Sequence, residues 1–531
     1  MYLARLCNTL WMCQCRPELA RFKAASGNVD NVQRELLLAT LQRNQASDYG
    51  RRHRFDRIAT IDDFRQQVPI VTYDEIAPFI DRIAAGENGV LTKEPVKLFE
   101  PTSGSTGARR LIPYTATLQA EFQRAISAWI ADLLAHCPAA CRGRAYWSLS
   151  PAFGEPQRTS GGLRIGFADD TEYLGLAQRM IARWLLALPR SAMREAGSNW
   201  QYRTLLHLLA TPDLALISIW SPTFLTALLR SLGEHSLQSL TRDLRGVATA
   251  RRVREVLNIL ARSLPLPEVT GQLWPRLALI SCWTEGAAAN YVDEMRRLFP
   301  SVVLQSKGLI ATECLVSFPL AASGGSVAAI RSHFFEFATG TSESTKLAHE
   351  LAVGEEYRVI ATTGGGFYRY DTGDKVHVTG YFRDCPTIRF VGRDATSDLV
   401  GEKLGESFVQ SAIQQLFQGH ERPSFVTLVP EMNLRRYWLL CQFPQAVSPA
   451  ERDAISEKLH QLLAANPYYA HAVQAGQLQP TRVVVVTHSL PILWEHYERT
   501  CISRGMRVGD IKPRALDVTV DWSKYLNIAT E

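Results

Sequence analysis

Residues 214–222 read Leu-Ala-Leu-Ile-Ser-Ile-Trp-Ser-Pro, and this stretch decides the fold class. Its first six residues are almost wholly apolar, which is typical of a strand that is buried on both faces. Ser221 and Pro222 then suit the start of a helix, with serine at the cap and proline in the first turn. Similar apolar runs return at residues 277–280 and 302–304. Because helical patterns separate these strands, the sequence predicts a parallel sheet covered by helices on both faces.

The pattern changes on either side of this unit. The first ninety residues predict helices joined by tight turns, and a longer helical pattern covers residues 115–134. Over residues 357–391 the hydrophobic period shortens to two, with turn residues at 364–366, 371–374 and Gly380. This period predicts an antiparallel meander or barrel.

Helix and strand patterns mix again after residue 393, over a stretch of about 140 residues that has the size of a separate small domain. The sequence therefore predicts an α/β protein with two domains. A large N-terminal domain, residues 1–393, would hold the parallel sheet, its flanking helices and the antiparallel meander. A small C-terminal α/β domain would cover residues 394–531.

Composition and charge exclude several classes of protein. The chain of 531 residues is 46% hydrophobic and 21% charged, which is typical of a globular protein and not of a disordered or fibrous one. A formal net charge of +6 makes no basic stripe, so we expect neither nucleic acid nor a membrane as a partner. Scattered cysteines, with no signal peptide and no long apolar segment, predict a soluble cytoplasmic protein. Cys7, Cys13 and Cys15 lack a paired partner motif, so we expect no metal there.

A polar loop follows a short predicted strand near Leu98. Residues 102–107 read Thr-Ser-Gly-Ser-Thr-Gly, and Arg109 and Arg110 follow after Ala108. Hydroxyls, backbone amides and guanidinium groups all donate hydrogen bonds, so this loop suits phosphate oxygens. Its spacing matches neither a Walker loop nor a nucleophile elbow. Read by itself, the loop is equally compatible with a solvated turn.

Three further clusters carry groups that suit nucleotide chemistry. Glu313 is a lone carboxylate in an apolar stretch, so it requires either a salt bridge or a cation such as Mg²⁺. Asp374 follows a glycine and is placed to accept bonds from two ribose hydroxyls, although aspartate and glycine are also common in plain hairpin turns. Lys512 lies on a predicted tight turn, where it would deliver a point charge to a carboxylate or phosphate, or simply be solvated.

In this order and spacing, the clusters resemble the acyl-adenylate-forming superfamily, which includes acyl-CoA synthetases, peptide-synthetase adenylation domains and luciferases. The chain is most similar to the acyl-acid amido synthetases, the auxin-responsive-promoter family, in its bacterial branch. The resemblance covers nearly the whole chain and rests on the motifs NQASDYGRRHRF (44–55), TSGSTG (102–107), WSPTF (220–224), KGLIATEC (307–314), FYRYDTGD (367–374), FVGRDATSDLVGEKLGE (390–406), NPYYAHAVQAGQL (466–478) and GDIKP (509–513).

The resemblance implies a two-step reaction that uses ATP and Mg²⁺. A carboxylic acid would first form an acyl-adenylate with release of pyrophosphate. An amine, usually that of an amino acid, would then displace AMP to give an amide. The resemblance also implies that the small domain is mobile and swings between the two steps about a hinge at residues 393–401. We expect a monomer or a weak homodimer.

Site residues follow from the resemblance position by position. Thr312 and Glu313 would lie at the α-phosphate and Mg²⁺, with Glu313 as the metal ligand, and Lys512 would reach the carboxylate and the α-phosphate. Asp374 would take the ribose hydroxyls, with Tyr370 in the same nucleotide site and Arg393 near the hinge. The phosphate-gripping loop would consist of Thr102, Ser103, Gly104, Ser105, Thr106 and Gly107.

Three further residues have roles that the motifs leave open. Arg110 stands where the family often has lysine, so a planar fork replaces a point charge. Cys314 stands where a smaller residue such as glycine is expected, and it would either narrow the acyl pocket or pack as a small hydrophobic residue. His333 could contact the acyl chain, but a structural histidine at a strand end is the preferred interpretation.

Two other functions are alternatives to that of an amide synthetase. In one, CoA or a carrier-protein thiol accepts the acyl group; residues 401–404 resemble the amido-synthetase branch rather than the Lys-x-x-Gly pattern of CoA ligases. In the other, the chain is a degenerate scaffold that only binds a small molecule. Glu313, Asp374 and Lys512 are all present, which argues against such decay. The sequence names neither the acid nor the amine.

Overall fold

The computed structural model describes most of the chain. It covers residues 2–102, 110–147, 157–167, 180–181, 184–189, 200–340, 344–393, 396–397, 399–400, 402, 404–418, 422–431, 434–486, 490–503, 511, 513–518 and 522. Every structural statement below concerns this described part. Residues 103–107 of the predicted phosphate loop, Arg109 and Lys512 lie outside it.

Helices occupy most of the first quarter of the chain and recur between the strands farther on. The helices are α1 (Tyr2–Ala25), α2 (Val29–Asn44), α3 (Asp48–Arg52), α4 (Ile61–Gln67), α5 (Tyr73–Ala84), α6 (Ala116–His136), α7 (Trp200–Leu209), α8 (Pro222–Ser231), α9 (Leu237–Leu244), α10 (Ala250–Leu260), α11 (Leu266–Leu273), α12 (Val292–Leu298), α13 (Glu406–Leu416), α14 (Pro449–Leu463), α15 (Pro467–Gln474) and α16 (Leu490–Ser503). Among these described helices, none combines enough length with enough apolar character to cross a membrane.

The strands form one parallel sheet, one large antiparallel sheet and smaller sheets. The strands are β1 (Leu98–Thr102), β2 (Arg110–Tyr114), β3 (Arg144–Trp147), β4 (Arg164–Ile165), β5 (Leu214–Ser218), β6 (Leu279–Cys282), β7 (Val303–Ser306), β8 (Ser317–Leu320), β9 (Gly325–Ala328), β10 (Phe334–Ala338), β11 (Thr345–Leu347), β12 (Glu356–Thr362), β13 (Tyr370–Phe382), β14 (Cys385–Arg393), β15 (Thr396–Ser397), β16 (Leu404–Gly405), β17 (Phe425–Glu431), β18 (Arg436–Gln442) and β19 (Gln479–Val485).

The structure confirms the predicted parallel sheet. Strands β3, β5, β6 and β7 pair in that order, and each neighbouring pair is parallel. The decisive run, residues 214–218, is buried along its whole length, and α8 begins at Pro222 as expected. The carboxyl ends of the four strands lie along one edge of the sheet, at Trp147, Ser218, Cys282 and Ser306.

The antiparallel meander is also confirmed, as part of a larger sheet. The sheet order is β11-β10-β12-β13-β14-β9-β8, and β12, β13 and β14 are consecutive neighbours. The turn at residues 364–366 is present, but the turns expected at residues 371–374 and at Gly380 are wrong, because both lie inside β13. The strand accommodates its glycines as irregularities: Gly373 has a φ of 70°, and the register with β14 shifts between Val378 and Gly380.

The long helix α6 lies inside the large core and carries side chains that later support the site. Thr115 caps it, because the Leu118 backbone N–H donates to the Thr115 hydroxyl at 3.0 Å. Residues on nearly every side of the helix are buried, from Leu118 to Leu134. Side chains on such a helix are held by packing from all sides, so α6 is a rigid support for its neighbours.

A separate small sheet forms near the C-terminal end of the chain. Strands β17 and β18 are antiparallel and β18 and β19 are parallel, with α14 packed against β19. The buried cores here consist of residues between Leu404 and Trp522, whereas the buried residues of the two larger cores end at Ile388. The predicted small α/β unit is therefore present, and the domain boundary at residue 393 stays a prediction.

Candidate active site

The predicted phosphate loop connects two paired strands. Thr102 and Arg110 are the last register pair of the β1–β2 hairpin, so residues 103–109 are the segment that connects its two strands. The Arg110 guanidinium lies 5.2 Å from the centre of the Tyr73 ring. The Tyr73 hydroxyl accepts a hydrogen bond from the Leu111 backbone N–H at 2.7 Å. Tyr73 therefore fixes the exit of the loop, a role that its sequence context at the start of a helix did not indicate.

Thr312 and Glu313 occupy a tight turn that leads towards β8. The turn is closed by a bridge between Ile310 and Leu315 and by a 3.0 Å bond from the Ala311 N–H to the Cys314 carbonyl. The Tyr114 hydroxyl, at the end of β2, donates to the Thr312 carbonyl at 3.0 Å. One hydrogen bond thus joins the hairpin to the turn that carries the predicted metal ligand, Glu313.

Glu313 is a buried carboxyl group, 4% exposed. Burial raises its pKa, the positive charges of Arg393 and Arg110 lower it, and the negative charge of Asp374 raises it further. Among the described side chains, none forms a salt bridge with Glu313 within 4.0 Å. Of the two interpretations offered by the sequence, a site for a cation therefore fits this carboxyl better than a direct salt bridge does.

Asp374 and Arg393 face each other in neighbouring strands. They are register partners in the β13–β14 pair, and the Arg393 Nε donates to Asp374 Oδ1 at 2.6 Å. The other oxygen, Asp374 Oδ2, is buried and has no hydrogen-bond partner among the described residues. Asp374 raises the pKa of Arg393, and Glu313 adds to this shift, so the guanidinium stays charged. A buried acceptor oxygen without a described partner is well suited to accept a hydrogen bond from a hydroxyl group of a ligand.

Tyr370 opens β13 and is 1% exposed. Burial is the main cause of its raised pKa, and the charge of Glu313 raises that pKa further. Arg110, Arg393 and Asp374 also act on it electrostatically. The structure therefore brings Glu313, Tyr370, Asp374 and Arg393 close together, and their roles stay predictions.

Cys314 follows Glu313 and is fully buried. Burial raises the pKa of its thiol well above the ordinary value, and the nearby charge of Glu313 adds to the shift. The thiol is therefore neutral and unreactive. Of the two interpretations offered by the sequence, packing as a small hydrophobic residue is the one that this burial favours.

A cluster of aromatic side chains lies at the carboxyl edge of the parallel sheet. Lys307, directly after β7, donates from Nζ to the Ser218 hydroxyl at 2.7 Å. Its ammonium lies 4.6 Å from the ring centre of Trp220 and 5.7 Å from that of Trp129, and Trp220 and Trp283 are 5.4 Å apart. Ligands of open α/β sheets bind at this edge. Although two of these residues belong to quoted motifs, the sequence did not identify them as a cluster.

The chain beyond Arg393 is fixed to the small sheet. The backbone N–H groups of Leu399 and Val400 donate to the Glu402 carboxylate at 2.7 and 2.8 Å. The Glu402 carboxylate also accepts a hydrogen bond from the Tyr437 hydroxyl, on β18, which lies 2.7 Å from the Ser397 hydroxyl. The described hinge residues Ser397, Leu399 and Val400 are therefore bonded within the small unit.

A Mg²⁺ ion would need oxygen ligands from outside the protein. Within the described part of the chain, no group of three or more His, Cys, Asp or Glu side chains is placed to hold a metal. Glu313 offers one hard carboxylate in a buried site, and Mg²⁺ is often bound by one or two carboxylates together with substrate phosphates. The residues present therefore fit a metal that arrives with a nucleotide.

Comparison with known proteins identifies one family of relatives. The chain matches the GH3 family N-terminal domain over residues 18–304 and the GH3 family central domain over residues 326–393. The indole-3-acetic acid-amido synthetase GH3.8 of Oryza sativa subsp. indica is 24% identical, over 92% of this chain and 88% of its own. The corresponding GH3.2 enzyme of Arabidopsis thaliana is 23% identical, over 73% of this chain and 78% of its own. The solved structure of the AtGH3.15 acyl acid amido synthetase in complex with 2,4-DB has the same fold, with a TM-score of 0.82 at 20% identity over 96% of this chain and 95% of that one.

Proposed function

Because the chain belongs to the GH3 family, we propose that it is an acyl-acid amido synthetase that uses ATP and Mg²⁺. The enzyme adenylates a carboxylic acid and passes the acyl group to an amine, most simply that of an amino acid. The observation that carries this proposal is the convergence of a buried carboxyl, Glu313, with the Asp374–Arg393 pair. Together they offer a cation site beside a free hydrogen-bond acceptor.

Asp374 has the chemistry of a ribose-binding residue. Its Oδ2 is buried without a described partner, whereas Arg393 holds Oδ1. A ribose hydroxyl that donates to Oδ2 would satisfy this acceptor, and hydrogen bonds to charged groups contribute about 1.5–3 kcal/mol. In this assignment Arg393 holds the carboxylate in the correct orientation.

The phosphates would lie between Glu313 and the residue 102–107 loop. When bound, Mg²⁺ would offset the negative charge of the phosphate oxygens, with Glu313 as its protein ligand. Arg110 and Lys512 are the cations assigned to the same region. An oxygen of the substrate carboxylate attacks the α-phosphorus, the bond to the bridging oxygen breaks, and pyrophosphate leaves. The amine nitrogen then attacks the acyl carbon, AMP leaves, and the amine loses a proton.

The acid would lie against the aromatic cluster of Trp129, Trp220, Trp283 and Lys307. Three indole rings at the carboxyl edge of a sheet give a wall on which an aromatic ring stacks well. An acid with an aromatic ring is therefore the substrate class that we favour. The names of the relatives, which mention indole-3-acetic acid, and the 2,4-DB complex support the same class. The amide product is favoured over a thioester because these relatives are named amido synthetases.

The small domain, residues 394–531, would turn between the two steps. The pivot would lie within the predicted hinge at residues 393–401. We also propose a cytoplasmic location and a monomer or weak homodimer. The ten free cysteines support a reducing compartment.

The test is pyrophosphate release from ATP and Mg²⁺ across a panel of aromatic and aliphatic carboxylic acids. Amino acids and CoA are then added in separate reactions, and the products are identified by mass spectrometry. Acid-dependent release that rises with an amino acid and yields AMP and an amide is the expected result. Stimulation by CoA with thioester formation, or ATP binding without turnover on any acid, would overturn the proposal.

A further inference from the structure

One buried carboxylate, that of Glu121, contacts the turn before the strand of Asp374 and, through His333, reaches the turn that holds Glu313. Glu121, on α6, accepts a hydrogen bond from the Gly364 backbone N–H at 2.9 Å through Oε2. The same oxygen lies 3.0 Å from Nδ1 of His333. Gly364 precedes the strand that carries Tyr370 and Asp374, so Glu121 reaches the nucleotide half of the site through this turn.

His333 continues this chain of contacts to the other half. Its Nε2 accepts a hydrogen bond from the Leu315 backbone N–H at 3.1 Å. Leu315 closes the turn that holds Thr312 and Glu313. A single path, from Gly364 through Glu121 and His333 to Leu315, therefore joins the strand of Asp374 to the turn of Glu313.

These contacts fix the protonation of the imidazole. A backbone N–H can only donate, so Nε2 of His333 must be an unprotonated acceptor. The proton of the neutral ring then lies on Nδ1, where it donates to the carboxylate of Glu121. Both side chains are almost fully buried, at 0% and 2% exposure, and both are therefore satisfied by each other and by backbone groups.

The surroundings hold this pair in one position. The Gln33 amide donates to the carbonyls of Ile330 and His333 at 2.6 and 2.8 Å. Space around the pair is equally limited: a Cβ at Gly364 would lie 2.4 Å from Cγ2 of Thr117 and 2.7 Å from Oε1 of Glu121. Because the side chains of the pair are held in one place, they can also fix the position of the backbone groups to which they are hydrogen-bonded.

We propose that Glu121 and His333 are positioning residues that set the Glu313 turn against the strand of Asp374. This inference rests on the proposed function, because it assigns the pair to the geometry of the nucleotide and Mg²⁺ site. Without the pair, the Leu315 N–H loses its acceptor and the turn is free to shift. The consequence is weaker use of Mg²⁺ and ATP, with the amine step unaffected.

The experiment compares His333→Ala with a matched control, Thr270→Val. Thr270 is 2% exposed and donates to the Leu298 carbonyl at 2.8 Å, far from both halves of the site in sequence and packed with the parallel-sheet core. Both substitutions remove a buried hydrogen bond. His333→Gln and Glu121→Gln are included because an amide can still accept from a backbone N–H, and these variants remain informative if the alanine variant does not fold.

Two readouts are taken for each variant: Mg²⁺-dependent binding of ATP by calorimetry, and pyrophosphate release as a function of Mg²⁺ and of amine. We expect His333→Ala to raise the Mg²⁺ requirement by about 10- to 100-fold, the range seen when outer partners of a metal site are removed. The KM for the amine should not change, His333→Gln should restore most of the Mg²⁺ affinity, and Thr270→Val should leave it unchanged.

Equal Mg²⁺ requirements for His333→Ala and Thr270→Val would overturn the inference and leave the proposed function untouched. So would failure of His333→Gln to recover Mg²⁺ affinity when its melting temperature equals that of Thr270→Val. Failure of the wild-type protein to turn over any acid would instead count against the proposed function. In that case the binding measurements alone decide the role of Glu121 and His333.

Discussion

Arg393 holds one oxygen of the Asp374 carboxylate at 2.6 Å, and the second oxygen is buried without a hydrogen-bond partner among the described residues. The pair therefore keeps a hydrogen-bond acceptor available for a ligand. A buried carboxylate with an unused oxygen costs stability unless a donor arrives, which is a property of binding sites rather than of structural ion pairs.

Asp374→Asn tests this acceptor directly. We expect the KM for ATP to rise by about 10- to 100-fold, because a charged hydrogen bond to the ribose is replaced by a neutral one. Initial rates of pyrophosphate release at increasing ATP give this value. Asp371→Asn is the control, since Asp371 lies on the same strand but pairs with Arg358. Equal ATP requirements in the two variants would count against a ribose role for Asp374.

Glu313→Gln tests the metal ligand. The substitution keeps the shape of the side chain but removes the negative charge, so pyrophosphate release should fall by at least about 100-fold. The melting temperature should stay equal or rise, because the buried charge is lost. Activity that is preserved, with an unaltered Mg²⁺ dependence, would contradict the assignment.

Lys512→Ala is expected to abolish most of the adenylation step. In the proposed role Lys512 would deliver a point charge to the carboxylate and the α-phosphate, so its loss would leave their mutual repulsion uncompensated. ATP binding, measured by calorimetry, should remain. Unchanged release of pyrophosphate by this variant would show that Lys512 has no part in the first step.

Trp220→Leu tests the substrate class. Removal of one indole should raise the KM for aromatic acids by about tenfold, in line with the 0.5–1.5 kcal/mol of an aromatic pair plus lost apolar contact. The KM for ATP should not change, and short aliphatic acids should be used about as well as before. If aromatic and aliphatic acids are affected equally, the aromatic wall does not select the acid.

Glu498 predicts a pH dependence of stability. It lies on α16, accepts hydrogen bonds from Gln201 of α7 at 3.2 and 3.1 Å, and burial raises its pKa from 4.5 to about 7, with a further contribution from Glu495. Between these two pH values the folded protein binds this proton more tightly than the unfolded chain does. The free energy of unfolding should therefore fall as the pH rises from 4.5 to 7, by at most about 1.4 kcal/mol per pH unit.

Thermal melting from pH 5 to pH 8 measures this effect. Glu498→Gln should flatten the decrease, because the amide keeps a partner for Gln201 and carries no charge. Glu495→Gln should retain it, since Glu495 is exposed. A wild-type melting temperature that stays level over this range would show that Glu498 is not coupled to unfolding.

The sequence predicts much of the fold because the relevant patterns are local. Periods of two and of about four residues correctly located strands and helices, including the long helix predicted over residues 115–134. The turn expected around Asp374 was wrong for a physical reason. Glycine and aspartate are turn residues in isolation, but here pairing with β14 on one side and β12 on the other keeps them within a long strand.

The sequence predicts the candidate-site residues that lie within its motifs and misses those that lie outside them. Tyr370, Asp374 and Arg393 lie on the neighbouring strands β13 and β14, Glu313 lies close to them in the turn before β8, and the roles that the resemblance gives them stay predictions. Tyr73 and Tyr114 were missed, because each acts through a hydroxyl bonded to a backbone group that is remote in sequence. No spacing rule links Tyr114 to Thr312, so contacts of this kind emerge only from the folded chain.

The pairing of Glu121 with His333 also constrains how this protein can evolve. An apolar residue at either position leaves a buried polar group of the other without its partner, whereas glutamine can still form hydrogen bonds there. Relatives that replace His333 by an apolar residue should therefore also replace Glu121, and position 364 should stay glycine because a Cβ there would lie 2.4 Å from Cγ2 of Thr117. The two positions form one inherited unit, although 212 residues separate them along the chain.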